Sequence, residues 1–393
     1  MHSFRMTLAA VVTGLVAVIA VATGPAIALP VSNTTADTLT FVGSDTTQYF
    51  DDAFCTAVNN NTKGDNPKPA TGAKDTCVNV HAFAAPGETT MVAPADAFSA
   101  ACTWSIPPST APAGSSCLTG GNGQETAPSG SGAGATRQEA NPTDASVDVG
   151  RASSLQCNST RPNLECYAYA RDAVGYATYR TQTIVLTTTQ LQGIYGCSIT
   201  DWSQIPNAGT GVITRFFPQS GSGTGSFFVT NFLNGVDPRL STSCPVTQVP
   251  ENDGSVIPSA SRPNAIVPFS AGAWIAQGNA VVPDTRNGIK IGKVKVGTKA
   301  IYPVAGTAGS YAPNAGAFSE TSTYPGARYV FHNVDNRAPQ YGPTLRFIGF
   351  DATGKSKLCS GAYAATLKQY GFQALPNTAG DSPDAGTCRL ILQ

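Results

Sequence analysis

The chain has 393 residues, of which 12% are charged, and its 24 Lys and Arg balance its 24 Asp and Glu. A chain of this length can form two domains with a sizeable core. Because no basic stripe accompanies the balanced charge, binding to nucleic acid or to an anionic membrane surface has no electrostatic support. Any anion that the protein binds must therefore be held by local groups.

The first 28 residues predict a secretory signal peptide. They have a basic start, an apolar stretch over 8–22 and the small-residue pattern Ala26–Ala28, so we expect cleavage after Ala28. An uncleaved membrane anchor is the alternative, although the apolar run is short for a span. No cysteine lies near the cleavage site to accept a lipid. We therefore expect a secreted protein, extracellular or periplasmic.

The chain then begins to alternate between strand and helix patterns. The apolar run at 39–42 predicts a buried strand, and the spacing of apolar residues over 49–58 predicts a helix. The polar loop between them offers hydroxyl groups at a helix N-terminus, where they either bind an anion or serve as ordinary caps.

Residues 59–135 are rich in Gly, Pro, Ser, Thr and Asn and predict a loop-rich insertion. The segment GSGAGAT at 130–136 is typical either of a turn that leads into a helix or of a plain linker. The alternating pattern at 146–154 predicts a strand that ends in a polar turn. Arg151 in that turn suits bidentate recognition of an oxyanion, and a solvated surface arginine is the alternative.

In the second half of the chain, residues 167–177 lead into a β-branched run, and 187–202 predict a cap, a helix and a short turn. The further predicted elements are a strand at 211–214, a strand and helix at 266–277, a strand at 344–350 and an amphipathic helix at 361–372. This alternation indicates an α/β architecture with polar loops gathered at strand ends.

The segment RFFPQSGSGTGS at 215–226 is the most informative part of the chain. The apolar residues that follow it, over 227–232, have helical spacing, so the glycine N–H groups would lie at a helix N-terminus. Such N–H groups and the helix dipole favour a bound anion, and glycine lets the ligand approach the backbone closely. A flexible Gly/Ser linker is the alternative interpretation.

All ten cysteines follow the predicted signal peptide, and an even count in an exported chain indicates disulfides. We expect neighbours in the chain to pair, although sequence alone leaves the connectivity open. No CxxC or CxxH spacing supports a metal site, and no cofactor is expected. The cysteines are Cys55, Cys77, Cys102, Cys117, Cys157, Cys166, Cys197, Cys244, Cys359 and Cys388.

Enzyme motifs are missing from the sequence that follows the signal. It contains no G-x-S-x-G pentapeptide, and the glycines at 221–225 have neither dinucleotide-binding spacing nor a following P-loop lysine. His81 and His332 have no recognisable catalytic context. Carboxylate pairs for glycoside hydrolysis are defined in space, and the sequence gives no positive sign of them. We therefore expect a protein that is not an enzyme.

Several segments resemble the phosphate-binding proteins of ABC importers. GSDTTQ at 43–48 resembles the family's first anion loop, LQGIYGCSITDW at 191–202 resembles its helix and tight turn, and SGSGT at 220–224 contains its Ser-Gly-Thr. IVPFSAGAWIAQ at 266–277 and RYVFHNV at 328–334 are also similar to the family. The resemblance covers most of the chain after the signal, except much of 59–135.

The resemblance implies an α/β fold of the type II periplasmic-binding class, with two lobes joined by crossover strands. Each lobe would be a mixed sheet flanked by helices. Lobe I would comprise 38–176 plus 335–393, with the insertion near 59–135, and lobe II would comprise 177–334. The implied ligand-binding residues are Ser44, Thr46, Thr47, Gln48, Arg151, Ser153, Ser154, Arg215, Ser222, Gly223 and Thr224.

The chain departs from the family pattern at two places. Pro218 stands where the family has an arginine, so that Arg215 is the nearest one. Ser153 and Ser154 stand where the family has an aspartate that accepts the proton of hydrogen phosphate. A carboxylate there repels fully deprotonated oxyanions, and Asp45 and Asp148 are the candidates to replace it.

The implied function is that of an exported, monomeric protein that captures phosphate or a related oxyanion for delivery to an ABC permease. The alternative is a secreted interaction or structural protein with the same fold that has lost its ligand. The missing aspartate and the missing lipid anchor motivate this alternative. A secreted hydrolase ranks third.

Overall fold

The computed structural model describes residues 38–60, 76–84, 88–93, 102–107, 117, 123–140, 146–338, 341–348, 358, 361–375 and 388–391. The signal peptide predicted at 1–28, much of the predicted insertion and Cys359 lie outside these residues. No helix in the described ranges has the length and apolar character needed to cross a membrane.

The described ranges contain the following helices and strands. The helices are α1 (Asp45–Asn59), α2 (Ser131–Ala140), α3 (Thr188–Tyr195), α4 (Gly223–Phe232), α5 (Ala271–Gly278), α6 (Ala315–Phe318), α7 (Tyr341–Ile348) and α8 (Ala364–Gln369). The strands are β1 (Thr38–Gly43), β2 (Thr76–Asn79), β3 (Thr90–Ala93), β4 (Cys102–Ser105), β5 (Gln124–Thr126), β6 (Val149–Ala152), β7 (Leu164–Thr178), β8 (Val185–Leu186), β9 (Thr214–Pro218), β10 (Thr247–Val249), β11 (Ala265–Ser270), β12 (Lys290–Ile291), β13 (Lys293–Val296), β14 (Lys299–Ile301), β15 (Val304–Ala305), β16 (Ala312–Pro313), β17 (Ala327–Asp335), β18 (Gln373–Ala374) and β19 (Arg389–Ile391).

An 11-stranded sheet organises the molecule, and its continuous path runs β10, β9, β11, β7, β17, β6, β1, β2. Strands β10, β9 and β11 form one parallel group, and β6, β1 and β2 form another. The long strands β7 and β17 pair with each other in antiparallel orientation between the two groups. The carboxyl ends of parallel strands share one edge of a sheet, so each group gathers its loops at one edge.

Two hydrophobic clusters lie on the two parallel groups. One packs α3, α4 and α5 with β9 and β11, and its large side chains include Trp202, Phe217 and Phe228. The other packs α1, α7 and α8 with β1, around Phe41 and Phe54. The predicted lobe boundaries, 38–176 plus 335–393 and 177–334, stay a prediction.

Neighbouring cysteines pair, as the sequence predicted, in four disulfides within the described residues. The fifth predicted pair joins Cys388 to Cys359, and Cys359 lies outside the described residues; Cys388 itself is disulfide-bonded. Each closed loop restricts the unfolded chain, which favours the folded state of a glycine-rich protein. The four pairs are Cys55–Cys77, Cys102–Cys117, Cys157–Cys166 and Cys197–Cys244.

Several predicted elements are confirmed. The strand and helix predicted at 266–277 are β11 and α5, and the cap predicted before α3 is a capping box formed by Thr187 and Gln190. The ambiguous segment 130–136 lies at the start of α2, so it is a turn that leads into a helix.

Two strand predictions are wrong. Residues 344–350 were predicted as a strand, but α7 occupies Tyr341–Ile348 because Thr344, Phe347 and Ile348 have helical spacing and are buried together. The strand predicted at 211–214 begins only at Thr214 and continues to Pro218. The first part of the Gly/Ser segment is therefore strand β9, and its glycines follow the carboxyl end of that strand.

His81 is buried between two carboxylates. Its Nε2 lies 2.8 Å from Asp52 Oδ2, and its Nδ1 lies 2.7 Å from Glu88 Oε2. Burial lowers the pKa of His81, but Asp52 and Glu88 outweigh this effect and raise the pKa from 6.5 to about 9. His81 thus serves as a buried structural cation.

We predict that the fold loses stability as the pH rises from 6.5 to 9. The folded-state pKa of His81 exceeds the unfolded value, so its stabilisation is complete below pH 6.5 and disappears as the pH approaches 9. The loss amounts to roughly 3 kcal/mol. Urea unfolding of the wild type and His81→Gln across this range measures it, and parallel pH profiles for the two proteins would contradict the prediction.

Candidate anion-binding site

Helices α1, α2 and α4 begin at the same place. Ser44 and Ser222 are the N-cap residues of α1 and α4, and Ser131 is the first residue of α2. Backbone contacts join the three loops, since Gly130 N donates to Gly43 O and Gly132 N donates to Gly221 O, each at 3.2 Å. The first N–H groups of a helix have no partner within the helix and carry its positive dipole end. Three such ends therefore favour negative charge here.

Buried hydroxyl groups fill the space between these helix ends. Ser44 Oγ donates to Ser153 Oγ at 3.0 Å, and Ser153 Oγ lies 3.3 Å from Ser131 Oγ. Thr46 Oγ1 of α1 lies 3.4 Å from Thr224 Oγ1 of α4. We call Ser44, Thr46, Ser131, Ser153, Ser222 and Thr224 the hydroxyl cluster; all six are buried.

Gly223 is required at its position beside the hydroxyl cluster. A Cβ atom there would overlap with the hydroxyl oxygens of Ser131 and Ser153. The first residue of α4 therefore has to be glycine for α4 to approach α2 so closely. This is a steric reason for the Ser-Gly-Thr sequence.

The cation that reaches the hydroxyl cluster is Arg328 of β17. Its Nη2 donates to Thr224 Oγ1 at 3.0 Å and to Asp172 Oδ2 at 2.6 Å. Asp172 of β7 also accepts hydrogen bonds from the Ser270 hydroxyl and the Gly272 N–H at the start of α5, each at 2.9 Å. Both charged side chains are buried, so the guanidinium is held in one position.

Two further carboxyl groups border the hydroxyl cluster. Glu251 Oε2 accepts a hydrogen bond from Thr224 N at 3.1 Å and another from the Ser222 hydroxyl. Burial raises the pKa of Asp45 well above its usual range, and the neighbouring Glu251 raises it further. Asp45 therefore keeps its proton to higher pH than an ordinary aspartate, which lowers the negative charge of the site.

Asn252 connects these groups. Its Nδ2 donates to Thr46 Oγ1 at 3.2 Å and to Asp45 Oδ2 at 3.3 Å, while its Oδ1 accepts from Ser270 N at 2.8 Å. This side chain joins the start of α1 to the start of α5. The site is thus built from both parallel groups of the sheet.

The structure brings together most of the predicted ligand-binding residues. Ser44, Thr46, Ser153, Ser222, Gly223 and Thr224 meet as described above. Thr47 lies in the first turn of α1 beside Tyr169. The side chain of Gln48 instead binds the backbone of Ala82 and Phe83. Ser154 accepts a hydrogen bond from Gln156 Nε2 at 2.8 Å.

The two predicted arginines lie elsewhere. The guanidinium of Arg151 is fully buried and donates to Val80 O at 2.8 Å and to Ser44 O at 3.1 Å, with further bonds to neighbouring carbonyls and Asn79. Burial lowers its pKa, and Asp51 and Asp52 oppose the change. Arg215 lies near Tyr195. Arg151 therefore holds the α1 loop in place, and Arg328 is the cation beside Thr224.

Of the two candidate carboxylates, Asp45 lies at the site, and Asp148 lies beside β1. Asp148 Oδ2 accepts from Thr40 N at 2.8 Å within the sheet. Sequence reasoning missed Asp172, Glu251 and Asn252. No spacing in the sequence pointed to the last two, because β9 and β10 become parallel neighbours, with their following loops at one edge, only in the folded chain.

The comparisons with known proteins agree with this architecture. A family model described as a PBP superfamily domain matches residues 120–351, so the chain belongs to the PBP superfamily, a family of solute-binding proteins rather than enzymes. The α/β fold class predicted from the sequence is confirmed. No curated protein matches the chain.

The chain also resembles solved structures at low sequence identity. An ABC-type phosphate transport receptor from Vibrio cholerae is 16% identical with a TM-score of 0.49, covering 86% of this chain and 100% of that one. A DING protein is 18% identical with a TM-score of 0.46, covering 68% and 92%. PstS from Borrelia burgdorferi is 13% identical with a TM-score of 0.41, covering 86% and 99%.

Replacement of Arg151 tests whether it is structural. We expect Arg151→Met to lower the free energy of unfolding by roughly 3–5 kcal/mol, because it leaves buried carbonyl acceptors without a donor and removes the cation near Asp51 and Asp52. Arg215→Met is the matched control, with a smaller expected loss because its side chain is only half-buried. Chemical denaturation measures both, and equal losses would contradict the assignment.

Proposed function

We propose that this protein is an exported receptor that captures phosphate or a related oxyanion between two lobes and delivers it to an ABC permease. The observation that carries the proposal is the meeting of three helix N-termini, the hydroxyl cluster and Arg328 at one buried place. Such donors, held in position before the ligand arrives, suit a tetrahedral oxyanion. Membership of a solute-binding family and the signal peptide predicted at 1–28 support it.

In this proposal Thr46, Ser222, Gly223 and Thr224 donate hydrogen bonds to the anion, and Arg328 supplies the positive charge. Ser44, Ser131 and Ser153 surround them. The lobes open and close about the crossing strands β7 and β17, which admits the anion and then excludes water. The protein acts as a monomer.

Glu251 sets the selectivity in this proposal. It accepts hydrogen bonds from the Ser222 hydroxyl and the Thr224 N–H, which are donors that the anion also needs. An anion that enters either displaces this carboxylate or offers it a proton, and hydrogen phosphate has a proton to offer whereas sulfate has none. Glu251 thus takes the role that the aspartate of the phosphate-binding proteins would have had.

Glu251 already accepts hydrogen bonds at the start of α4, which also favours the alternative, a secreted interaction protein that has lost its ligand. In that case Glu251 permanently replaces the anion. Calorimetric titration with phosphate, arsenate and sulfate, followed in parallel by the fluorescence of Trp104, Trp202 and Trp274, separates the two functions. Saturable binding supports the receptor, and no binding of any oxyanion supports the alternative.

Thr224→Val tests the binding site. The substitution keeps the shape of the side chain but removes the hydroxyl that faces Thr46 and Arg328, so we expect phosphate affinity to fall by about 10- to 100-fold. Thr230→Val on the exposed face of α4 is the matched control and leaves the affinity unchanged. Equal phosphate affinity in both variants would show that the proposed site is wrong.

Glu251→Gln tests the selectivity. The variant removes a negative charge beside the bound anion, so we expect sulfate affinity to rise by at least about tenfold and phosphate affinity to rise less. Asp284→Asn, which removes a carboxylate from an exposed ion pair, is the control. Unchanged discrimination between sulfate and phosphate in Glu251→Gln would refute the role of Glu251.

A further inference from the structure

A cavity of about 300 Å³ adjoins the hydroxyl cluster. Asp45, Thr46, Glu251 and Asn252 line it and also belong to, or border, the cluster. The cavity therefore continues directly from the place where the proposed anion binds. A free phosphate ion does not need this additional space, because the hydroxyl cluster and the helix ends already surround it.

The walls of the cavity are mainly apolar. Phe50, Tyr370 and Phe372 form an aromatic wall, in which the Tyr370 and Phe372 rings meet the Phe50 ring edge-on at centroid distances of 6.3 and 6.4 Å. Ala273 and Ala276 of α5 contribute small side chains to the lining. The aromatic wall is fixed by its own contacts, while the alanines leave open space.

The two glutamine side chains in the lining are already engaged. Gln48 Oε1 accepts from Ala82 N at 2.9 Å, and Gln277 Nε2 donates to Asn252 O at 2.8 Å. A polar group placed in the cavity would lose its hydration and would have to compete for these two amides, which is unfavourable. An apolar group would gain from leaving water.

The carboxyl groups in the lining disfavour an anionic substituent in the cavity. Asp45, Glu251 and Asp253 all line the cavity. An additional anionic group in the ligand would be repelled at short range by Glu251 and Asp253. The lining therefore disfavours an anionic substituent, and its mainly apolar walls favour an apolar one.

We infer that the ligand is an organic phosphate monoester or phosphonate with a compact, apolar substituent. Its phosphoryl group lies at the hydroxyl cluster beside Arg328, and its substituent lies in the cavity against Phe50, Tyr370 and Phe372. This inference rests on the proposed function, since it requires an oxyanion at the hydroxyl cluster. It names the class of substrate that the same site takes.

Calorimetry with phenyl phosphate, methyl phosphate and inorganic phosphate tests the inference. The two monoesters have the same charged group and differ in the apolar area that the cavity can bury. We expect phenyl phosphate to bind at least about tenfold more tightly than methyl phosphate. Equal affinities for the two monoesters would overturn the inference.

Variants that fill the cavity provide a second test of the inference. Ala276→Phe should abolish the preference for phenyl phosphate while inorganic phosphate still binds. Ala273→Phe, at a half-buried position, should have the same effect and is used in case Ala276→Phe fails to fold. Ala315→Phe, at an exposed position on α6, is the matched control and keeps the preference. A preference that survives in a folded cavity variant would overturn the inference.

The outcomes separate this inference from the proposed function. Binding of inorganic phosphate without any preference between the monoesters refutes the inference alone. Failure to bind all three compounds refutes the proposed function and the inference with it. A preference that disappears only in the cavity variants supports both.

Discussion

The buried ion pair between Arg328 and Asp172 is the interaction on which the rest of the site depends. It joins the crossing strands β17 and β7, and Asp172 also accepts hydrogen bonds from the start of α5. Burial of an ion pair is costly unless its remaining hydrogen-bonding groups find partners. Here those partners include Thr224 at the start of α4. The ion pair thus fixes the cation, two helix ends and the crossing strands relative to one another.

Electrostatic balance explains how acids can surround the proposed anion site. The helix ends and Arg328 supply positive potential, and Glu251 partly neutralises it through its bonds to Ser222 and the Thr224 N–H. Asp45 contributes little negative charge because burial favours its protonated form. The positive groups are therefore balanced within the protein, and in the proposed function an anion would take over bonds that Glu251 now makes.

The sequence predicted the local parts of the site well. The hydroxyl groups of Ser44, Ser222 and Thr224 follow from short segments at helix starts, where composition and spacing indicate the structure. The steric need for Gly223 was not predicted, because Ser131 and Ser153 reach it from other elements. The prediction was less good for Arg151. Its predicted position in a turn after a strand suggested a ligand role, but Arg151 lies within β6, and carbonyls from β1 and the segment after β2 surround its guanidinium.

The sequence by itself determined the α/β alternation and the starts of the principal helices, because each depends on residues close together in the chain. It favoured the pairing of neighbouring cysteines, and the folded chain decided the connectivity. Only the tertiary structure decided which arginine and which carboxyl groups belong to the site. Arg328, Asp172 and Glu251 lie far apart in sequence and meet because β7 and β17 cross between the two parallel groups. Side chains brought together by strand pairing leave no fixed spacing in the sequence, which is the physical reason that pattern alone missed them.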